Sequence, residues 1–297
     1  MKLRLYNSAA QFSAACREVR VQGGTLGLVP TMGALHSGHV ALMHEAKRLA
    51  THVAATIFVN PTQFAANEDF GQYPRTLDAD MTKSEAAGVN MLFVPDVQEM
   101  YAPGDTTRVR VSGVADVLCG AVRPGHFDGV ATIVTKLFVL AGTCTAVFGR
   151  KDYQQLKVIE RVVSDLKLPI RVVGHPIIRE PDGLAMSSRN AYLSAENRRR
   201  ACAISRGLSK AWQIFESGER NVDPILNCVK EELAIEHLKL QYAELAEANS
   251  LELFDRQSRL PARALLAVAA YCDKTRLIDN VVLGEDLDPL QQSAAHP

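Results

Sequence analysis

Thr25–His39 reads TLGLVPTMGALHSGH: an apolar, strand-like run to Pro30, a glycine-containing turn, and the first residues of a helix. At a strand-to-helix turn the first helical N–H groups lack intrahelical partners and the helix dipole adds positive potential, so such a turn attracts phosphate. Gly33 and Gly38 carry no side chain where a backbone must approach a ligand closely. His36 and His39, three apart, can aim at one phosphate group as hydrogen-bond donors or, when protonated, as cations. The plain alternative is that two histidines at this spacing cap a surface helix, or share a metal with a distant third ligand. The strand before them, the glycines among them and the helix after them favour the phosphate reading.

The same strand–helix rhythm extends outward over the first ~180 residues. Helical spacing runs over Gly38–Ala50, Leu77–Ala87, Phe127–Leu140 and Asp152–Leu166. Strand-like runs occupy Val53–Asn60, Met91–Pro95, Thr145–Gly149 and Ile170–His175. This pattern predicts an α/β fold with a doubly wound parallel sheet and a ligand site outside the carboxyl ends of its strands. After Ser188 the texture changes. One long helix is expected over Glu196–Glu216 and a second over Asp223–Ala234, with Pro224 in its first turn, where proline is tolerated. Strands at Lys239–Leu245, Ala264–Tyr271 and Arg276–Leu283 follow, so a smaller α+β C-terminal domain is expected. The domains read as residues 1–185 and 186–297, with Leu287–Pro297 a polar, frayed tail.

Thirty-three Lys plus Arg balance 33 Asp plus Glu, so no global field recruits nucleic acid or an anionic membrane surface. Six dispersed cysteines (Cys16, Cys119, Cys144, Cys202, Cys228 and Cys272) form no C-x-x-C pair and read as reduced, mostly buried thiols. Neither a secretory leader pattern nor a membrane-length apolar run is present, and the expected compartment is the cytoplasm.

Further segments carry candidate chemistry. Asn60 and Gln63 follow the second strand, where amides can fix a carboxylate or hydroxyl without adding charge, although Asn-Pro is also an ordinary turn. Tyr73-Pro-Arg75-Thr-Leu-Asp78-Ala-Asp80 opens a helix; acids suit that position electrostatically, and Asp80 could also reach a magnesium ion on nucleotide phosphates. Arg123, in a glycine-rich turn before a helix, could hold a carboxylate bidentately or sit in a surface salt bridge. Gly149-Arg150-Lys151-Asp152 repeats the strand-to-helix layout, with Lys151 a point charge for phosphate and Gln155 facing back toward the mouth. In Met186-Ser187-Ser188-Arg189, two hydroxyls and a guanidinium make a short anion-binding strip that suits a developing pyrophosphate.

PTMGALHSGH, FVNPTQF, YPRTLDAD, RPGHFDGVATIVTKLF, FGRKDYQQ and DGLAMSSRN, in that order over Leu28–Ser194, resemble the pantoate–β-alanine ligase (pantothenate synthetase) family of H-x-G-H nucleotidyltransferases. TRLIDNVVL at Thr275–Leu283 matches more loosely. The resemblance implies a Rossmann-like N-terminal domain binding ATP and pantoate, a C-terminal domain closing over the site, a homodimer, and Mg-ATP, (R)-pantoate and β-alanine as substrates. It implies that Met32, Gly33, Ala34, Leu35, His36, Ser37, Gly38 and His39 line the ATP site, with His39 the proton donor. Gly149, Arg150, Lys151, Asp152, Met186, Ser187, Ser188 and Arg189 would complete the ATP contacts, with Ile178 against the adenine. Gln63 and Gln155 would hold pantoate, with Asn60, Tyr73 and Arg123 in the same acid-binding region. Catalysis would rest on His36, His39, Lys151, Ser187, Ser188 and Arg189. Ala79 stands where relatives often carry a second acid, which leaves the implied magnesium contact to Asp80. Arg150 falls at a variable position, and no functional change is expected from it.

Two other readings compete. A related adenylyltransferase acting on a phosphorylated acceptor would want extra basic residues near the acceptor, whereas FVNPTQF offers neutral amides. A non-catalytic ATP-binding regulator would need no complement of groups arranged around a leaving pyrophosphate. The implied chemistry needs no covalent enzyme intermediate, so each cysteine should be replaceable singly by alanine with turnover retained. Loss of AMP release in a still-folded single variant would contradict this.

Overall fold

The computed structural model describes residues 2–65 and 68–292, which sort into two compact units. The first lies within Met1–Ala115, Val122–Arg150 and Gln155–Pro176, the second within Asp116–Ala121, Lys151–Gln154 and Ile177–Pro297.

The first unit is built on a parallel sheet of β1 (Arg4–Tyr6), β2 (Leu26–Thr31), β3 (His52–Ile57), β4 (Met91–Phe93), β5 (Cys144–Gly149) and β6 (Ile170–His175). Its spatial order is β1-β4-β3-β2-β5-β6. The chain therefore winds from β2 through β3 to β4 on one side, then returns to place β5 and β6 on the other. That reversal between β2 and β5 is the point at which doubly wound sheets open a crevice for ligands. The main helices between the strands are α1 (Ala9–Val21), α2 (Ser37–Leu49) and α3 (Leu77–Ala86). After the short α4 (Val97–Met100) and α5 (Leu118–Val122) come α6 (His126–Ala141) and α7 (Tyr153–Asp165).

Val29, Val53, Ala55 and Leu92 on one face of the sheet pack against Leu42, Met43 and Ala46 of α2. β1 and α1 were outside the sequence reading: β1 is three residues long, although Phe12, Cys16 and Val19 of α1 do recur at helical spacing. Phe12 stacks on Phe93 with ring centroids 4.6 Å apart, which fastens α1 to β4.

The second unit carries an antiparallel sheet, β7 (Lys239–Ala246), β8 (Ala264–Cys272) and β9 (Thr275–Leu283), in that spatial order. α8 (Ala195–Ala201), α9 (Ala203–Glu216) and α10 (Val222–Ile235) precede it. Ile204, Leu208 and Phe215 of α9 and Ile225 and Val229 of α10 join Leu266, Val268 and Val281 in one core. The long helix expected over Glu196–Glu216 is two helices. At Cys202 the backbone N–H turns to the Arg200 carbonyl and the thiol takes the Arg198 carbonyl at 3.3 Å, so the regular ladder lapses there. The frayed tail is also corrected through residue 292. Asp288 is buried and accepts from the Ser209 hydroxyl at 2.6 Å, and α11 (Pro289–Gln292) follows it. Residues 293–297 of that tail lie outside the described residues.

The sequence reading placed the domain boundary after residue 185, whereas the contacts divide the chain after Pro176 and send two earlier segments to the second unit. Hydrogen bonds explain the excursions. Asn280 Nδ2 donates to the Lys151 carbonyl at 2.8 Å, and the Tyr153 hydroxyl to the Ala248 carbonyl at 3.0 Å. Gln154 Nε2 donates to the Val117 carbonyl at 2.6 Å.

Within the first unit, α6 is apolar enough to be buried along most of its length, and Gly129 lets one turn of it meet the 3-10 turn Pro61–Gln63 main chain to main chain. A Cβ at Gly129 would lie 2.5 Å from the Thr62 carbonyl oxygen and 2.7 Å from the Gln63 nitrogen. Backbone cannot rotate away as a side chain can. Gly129→Ala should therefore cost about 1–3 kcal/mol through overpacking. The expected result is a lowered denaturation midpoint; an unchanged midpoint would mean that the seam yields freely.

Candidate active site

The histidine turn is built from β2 outward. Thr31 closes the strand by donating through Oγ1 to the Thr56 carbonyl at 2.7 Å and accepting from the Gly33 N–H at 3.1 Å. Gly33 and Ala34 then take positive φ angles of 84° and 51°. Glycine is needed at the first of these for two reasons. The conformation is left-handed, and a Cβ would stand 3.0 Å from Ile57 Cγ2 and 3.2 Å from Asp80 Oδ2. Asp80 reaches in from α3: Oδ2 accepts from the Ala34 N–H at 2.9 Å and Oδ1 from the Leu35 N–H at 2.7 Å. Thr76 Oγ1 adds a bond to Oδ1 at 3.2 Å, and Lys83 Nζ grips the Leu35 carbonyl at 2.5 Å.

His36 is the N-cap of α2 and His39 its third helical residue, and the two form a reciprocal capping box. The His36 N–H donates to His39 Nδ1 at 3.4 Å, and the ring centroids are 4.0 Å apart. A neutral ring that accepts at Nδ1 carries its proton on Nε2, so the cap sets the tautomer and leaves an N–H donor at the far edge of the ring. Capping and phosphate recognition, set against each other in the sequence, are compatible on His39 because the cap takes its Nδ1.

Asp80 is committed to protein partners. Its carboxylate is 1% exposed, and both oxygens are engaged by two backbone N–H groups and a hydroxyl. A direct magnesium ligand needs an oxygen facing solvent or phosphate. This carboxylate faces inward and shapes the loop. Among the described residues, no group of three His, Cys, Asp or Glu side chains is placed to hold a metal ion.

Asn60 is likewise a support. It is 1% exposed; Nδ2 donates to Gln63 Oε1 at 3.0 Å and to the Gly129 carbonyl at 3.1 Å, while Oδ1 accepts from the Tyr101 hydroxyl at 2.9 Å. Gln63, half-buried, is thereby fixed through its Oε1, and its Nε2 lies 3.1 Å from Met32 Sδ. The structure thus brings Gln63 and Met32 together, while Asn60 spends its whole amide on protein partners.

Arg123 takes a salt bridge, one of the two roles its sequence allows. Its Nε and Nη2 each reach a Glu68 oxygen at 2.6 Å, Nη2 also reaches the Gln63 carbonyl at 3.3 Å, and Nη1 lies 3.0 Å from His126 Nε2. Burial alone would raise the Glu68 carboxyl, but the Arg123 guanidinium and the Ala65 N–H outweigh it and hold it below its ordinary range. His126 Nδ1 is 2.8 Å from the Gln63 carbonyl, so a ring protonated at Nδ1 and accepting at Nε2 satisfies both neighbours. Tyr73 is buried with its ring edge against Phe64. Glu68, His126 and Tyr101 were not singled out from sequence; no spacing rule links residues so far apart along the chain.

Gly149 ends β5 and Arg150 opens the 3-10 turn after it, both in the first unit, where Gln155 is half-buried. Lys151 and Asp152 belong to the second unit, Asp152 exposed and Lys151 partly so. There, Ile178 and Met186 face each other across a hairpin, the Met186 N–H donating to the Ile178 carbonyl at 2.9 Å. Ser187 Oγ then accepts from the Arg189 N–H at 3.3 Å and caps the 3-10 turn Ser188–Tyr192. Met186, Ser187, Ser188 and Arg189 are all partly exposed. Burial pushes the Cys16 and Cys144 thiols up to about 12 and Cys202 to about 11, so these are thiols, not thiolates, at neutral pH.

A family model described as pantoate-beta-alanine ligase matches residues 4–282. Pantothenate synthetase of Geobacter sulfurreducens is 46% identical over 288 residues, which cover 96% of this chain and 100% of that protein. The Myxococcus xanthus enzyme of the same name is 50% identical over 268 residues, covering 90% and 91% respectively. Pantothenate synthetase from Thermus thermophilus superposes with a TM-score of 0.88 at 43% identity, covering 94% of this chain and 99% of that one. A pantoate-beta-alanine ligase from Francisella tularensis, complexed with β-γ ATP and β-alanine, superposes with a TM-score of 0.76 at 31% identity over 96% of this chain and 99% of that one. No helix among the described residues is long and apolar enough to cross a membrane.

Asp80→Ala should leave the Ala34 and Leu35 N–H groups without their acceptor, at about 1–3 kcal/mol for each buried donor left unsatisfied. Because that loop carries both histidines, kcat should fall by ~10-fold or more through misplacement alone. Steady-state turnover measured beside a thermal melt checks this, and wild-type kcat in Asp80→Ala would remove the loop from the argument.

Proposed function

The chain belongs to the pantoate–β-alanine ligase family, and from that premise we propose how its residues carry the ATP-dependent condensation of pantoate with β-alanine. The pantoate carboxylate attacks the α-phosphorus of ATP, the bond to the bridging oxygen breaks, and pyrophosphate leaves. The β-alanine amine then attacks the carbonyl of the pantoyl adenylate and loses a proton. AMP departs with the electron pair of the acyl–oxygen bond, and pantothenate remains. A free carboxylate is a poor acyl donor, whereas the mixed anhydride has a good leaving group, so the protein's work is positioning and charge stabilisation.

The observation that best supports this reading is the Gly33–His39 loop: a buried carboxylate pins it at the carboxyl end of β2, so that a helix N-terminus and two imidazoles stand beside the sheet's reversal point. In our assignment Met32–His39 and Gly149–Asp152 take the ATP phosphates, with His39 donating through Nε2. Ile178 lies against the adenine, and Ser187, Ser188, Arg189 and Lys151 neutralise the departing pyrophosphate. Gln63 and Gln155 hold pantoate, with Tyr73 beside them, while Asn60 and Arg123 act by fixing Gln63. The ligands named for the Francisella tularensis relative, ATP in analogue form and β-alanine, are the two we assign here beside pantoate. Magnesium enters on the ATP phosphates and neutralises part of their charge, without Asp80 as a ligand. We assign a homodimer and a cytoplasmic location, supported by the family resemblance and the buried, protonated thiols.

The test is AMP release from purified protein given Mg-ATP, pantoate and β-alanine, omitting each in turn. AMP that requires all three, with pyrophosphate released from ATP and pantoate alone, is the expected result. No AMP with pantoate and β-alanine, in protein shown to bind ATP, would sink the assignment in favour of a phosphorylated acceptor.

A further inference from the structure

Two segments of the second unit are assigned to the departing pyrophosphate, and they come from distant parts of the sequence: Lys151, and the strip Ser187–Arg189. Neighbouring residues of β9 hold both. Asn280 Nδ2 donates to the Lys151 main-chain carbonyl at 2.8 Å. Asp279 forms a bidentate pair with Arg179, Oδ2 accepting from Nη1 at 2.6 Å and Oδ1 from Nη2 at 3.0 Å. The Asn280 N–H donates to the same Asp279 Oδ1 at 2.8 Å, so the carboxylate is itself held by the strand.

Arg179 governs a hairpin. It is bridged antiparallel to Ala185, and its Nη1 also donates to the Gly183 carbonyl at 3.1 Å. The turn between them, Glu180-Pro181-Asp182-Gly183, is closed by the Gly183 N–H on the Glu180 carbonyl at 2.8 Å, with proline at the position that presets its φ. Asn190 fastens the other end of the strip, donating to Glu180 Oε1 at 2.7 Å and to the Ala185 carbonyl at 3.1 Å. The strip is thus suspended between Ala185 and Asn190, and both trace back to β9 through Arg179.

Stability alone is a poor account of this arrangement. The Arg179 and Asp279 side chains are 1% and 3% exposed, and a buried ion pair often contributes no more than an apolar pair of the same volume. Arg179 Nε and Asn190 Oδ1 are buried with no hydrogen-bond partner among the described residues, a cost that native cores avoid unless something else requires the geometry. Consecutive strand residues point to opposite faces, so one short stretch of β9 reaches two segments that nothing in their sequence separation would bring into register.

We propose that Asp279 and Asn280 are positioning residues for pyrophosphate departure, Asp279 through Arg179 and the Ser187–Arg189 strip, Asn280 through the Lys151 backbone; this rests on the phosphate roles assigned above. Neither touches the reacting atoms. Their effect falls on the first half-reaction, where pyrophosphate leaves, and spares the second, where AMP leaves.

The experiment compares Asn280→Ala and the double variant Arg179→Met with Asp279→Leu, which exchanges the ion pair for an apolar one of similar size, with Lys151→Met and Arg189→Met as benchmarks. For each, pantoate-dependent pyrophosphate release is measured against conversion of supplied pantoyl adenylate by β-alanine, beside a thermal melt. The expected result is a ~10–100-fold loss in the first half-reaction, as misplaced catalytic groups produce. Conversion of supplied adenylate and the KM for β-alanine should stay within about twofold. Asn280→Asp, which loses the amide donor but keeps the size, should resemble Asn280→Ala, whereas Asn280→Gln should recover part of the rate. Benchmarks that slow pyrophosphate release while the β9 variants do not would overturn the positioning role alone. Benchmarks that leave it unchanged would overturn the phosphate assignment and the positioning role with it. Equal loss in both half-reactions, tracking a lowered melting temperature, would make β9 a matter of stability and overturn the proposal too.

Discussion

A single buried carboxylate sets the conditions for the loop that joins β2 to α2. Asp80 sits where an unpaired charge would be prohibitively costly, and it is tolerated because two backbone N–H groups and a hydroxyl are aimed at it. Those two N–H groups belong to the residues that turn the chain from β2 toward α2. The carboxylate therefore fixes the entry of the helix, and the helix entry sets the His39 ring against the His36 N–H. Glycine at position 33 follows from the same contact, since the carboxylate oxygen occupies the space a side chain would need.

The same economy recurs around Gln63. Asn60 and Arg123 have their polar atoms committed to protein, and both act on Gln63: one through its side-chain oxygen, the other through its carbonyl. A flexible amide becomes a directional one when its orientation is enforced from two sides. Glu68 keeps Arg123 in that role, and the guanidinium in return keeps the carboxyl ionised to lower pH than a free glutamate.

Most of the sheet was legible because buried parallel strands read as short apolar runs and the helices between them keep their 3.6-residue period. β6 fell on the expected residues, and most other elements within one or two. The candidate motifs stood out as well, because glycines and chemistry-bearing residues cluster at strand ends. What sequence could not separate was contact from support. Asp80, Asn60 and Arg123 have the chemistry of ligands, and only burial and the identity of their partners reveal that they hold the loops. β1 was too short to stand out, and the break at Cys202 depends on a thiol and a backbone N–H choosing different carbonyls. The docking of Asp288 beneath Ser209 was invisible for a related reason: a polar tail becomes ordered through a partner 79 positions away.

The seam between α6 and the Pro61–Gln63 turn has an evolutionary reading. Where main chain meets main chain, no side chain is available to trim or enlarge. With the acid held at Gln63 as proposed, a lineage drifting toward a bulkier or smaller acid cannot widen this contact by successive point changes, because a Cβ at position 129 already meets backbone. New specificity would have to enter through the length of the turn or the residues displayed on it. Selection on that part of the chain should therefore be recorded as insertions, deletions and exchanges around Thr62 and Gln63, with the helix behind them held constant.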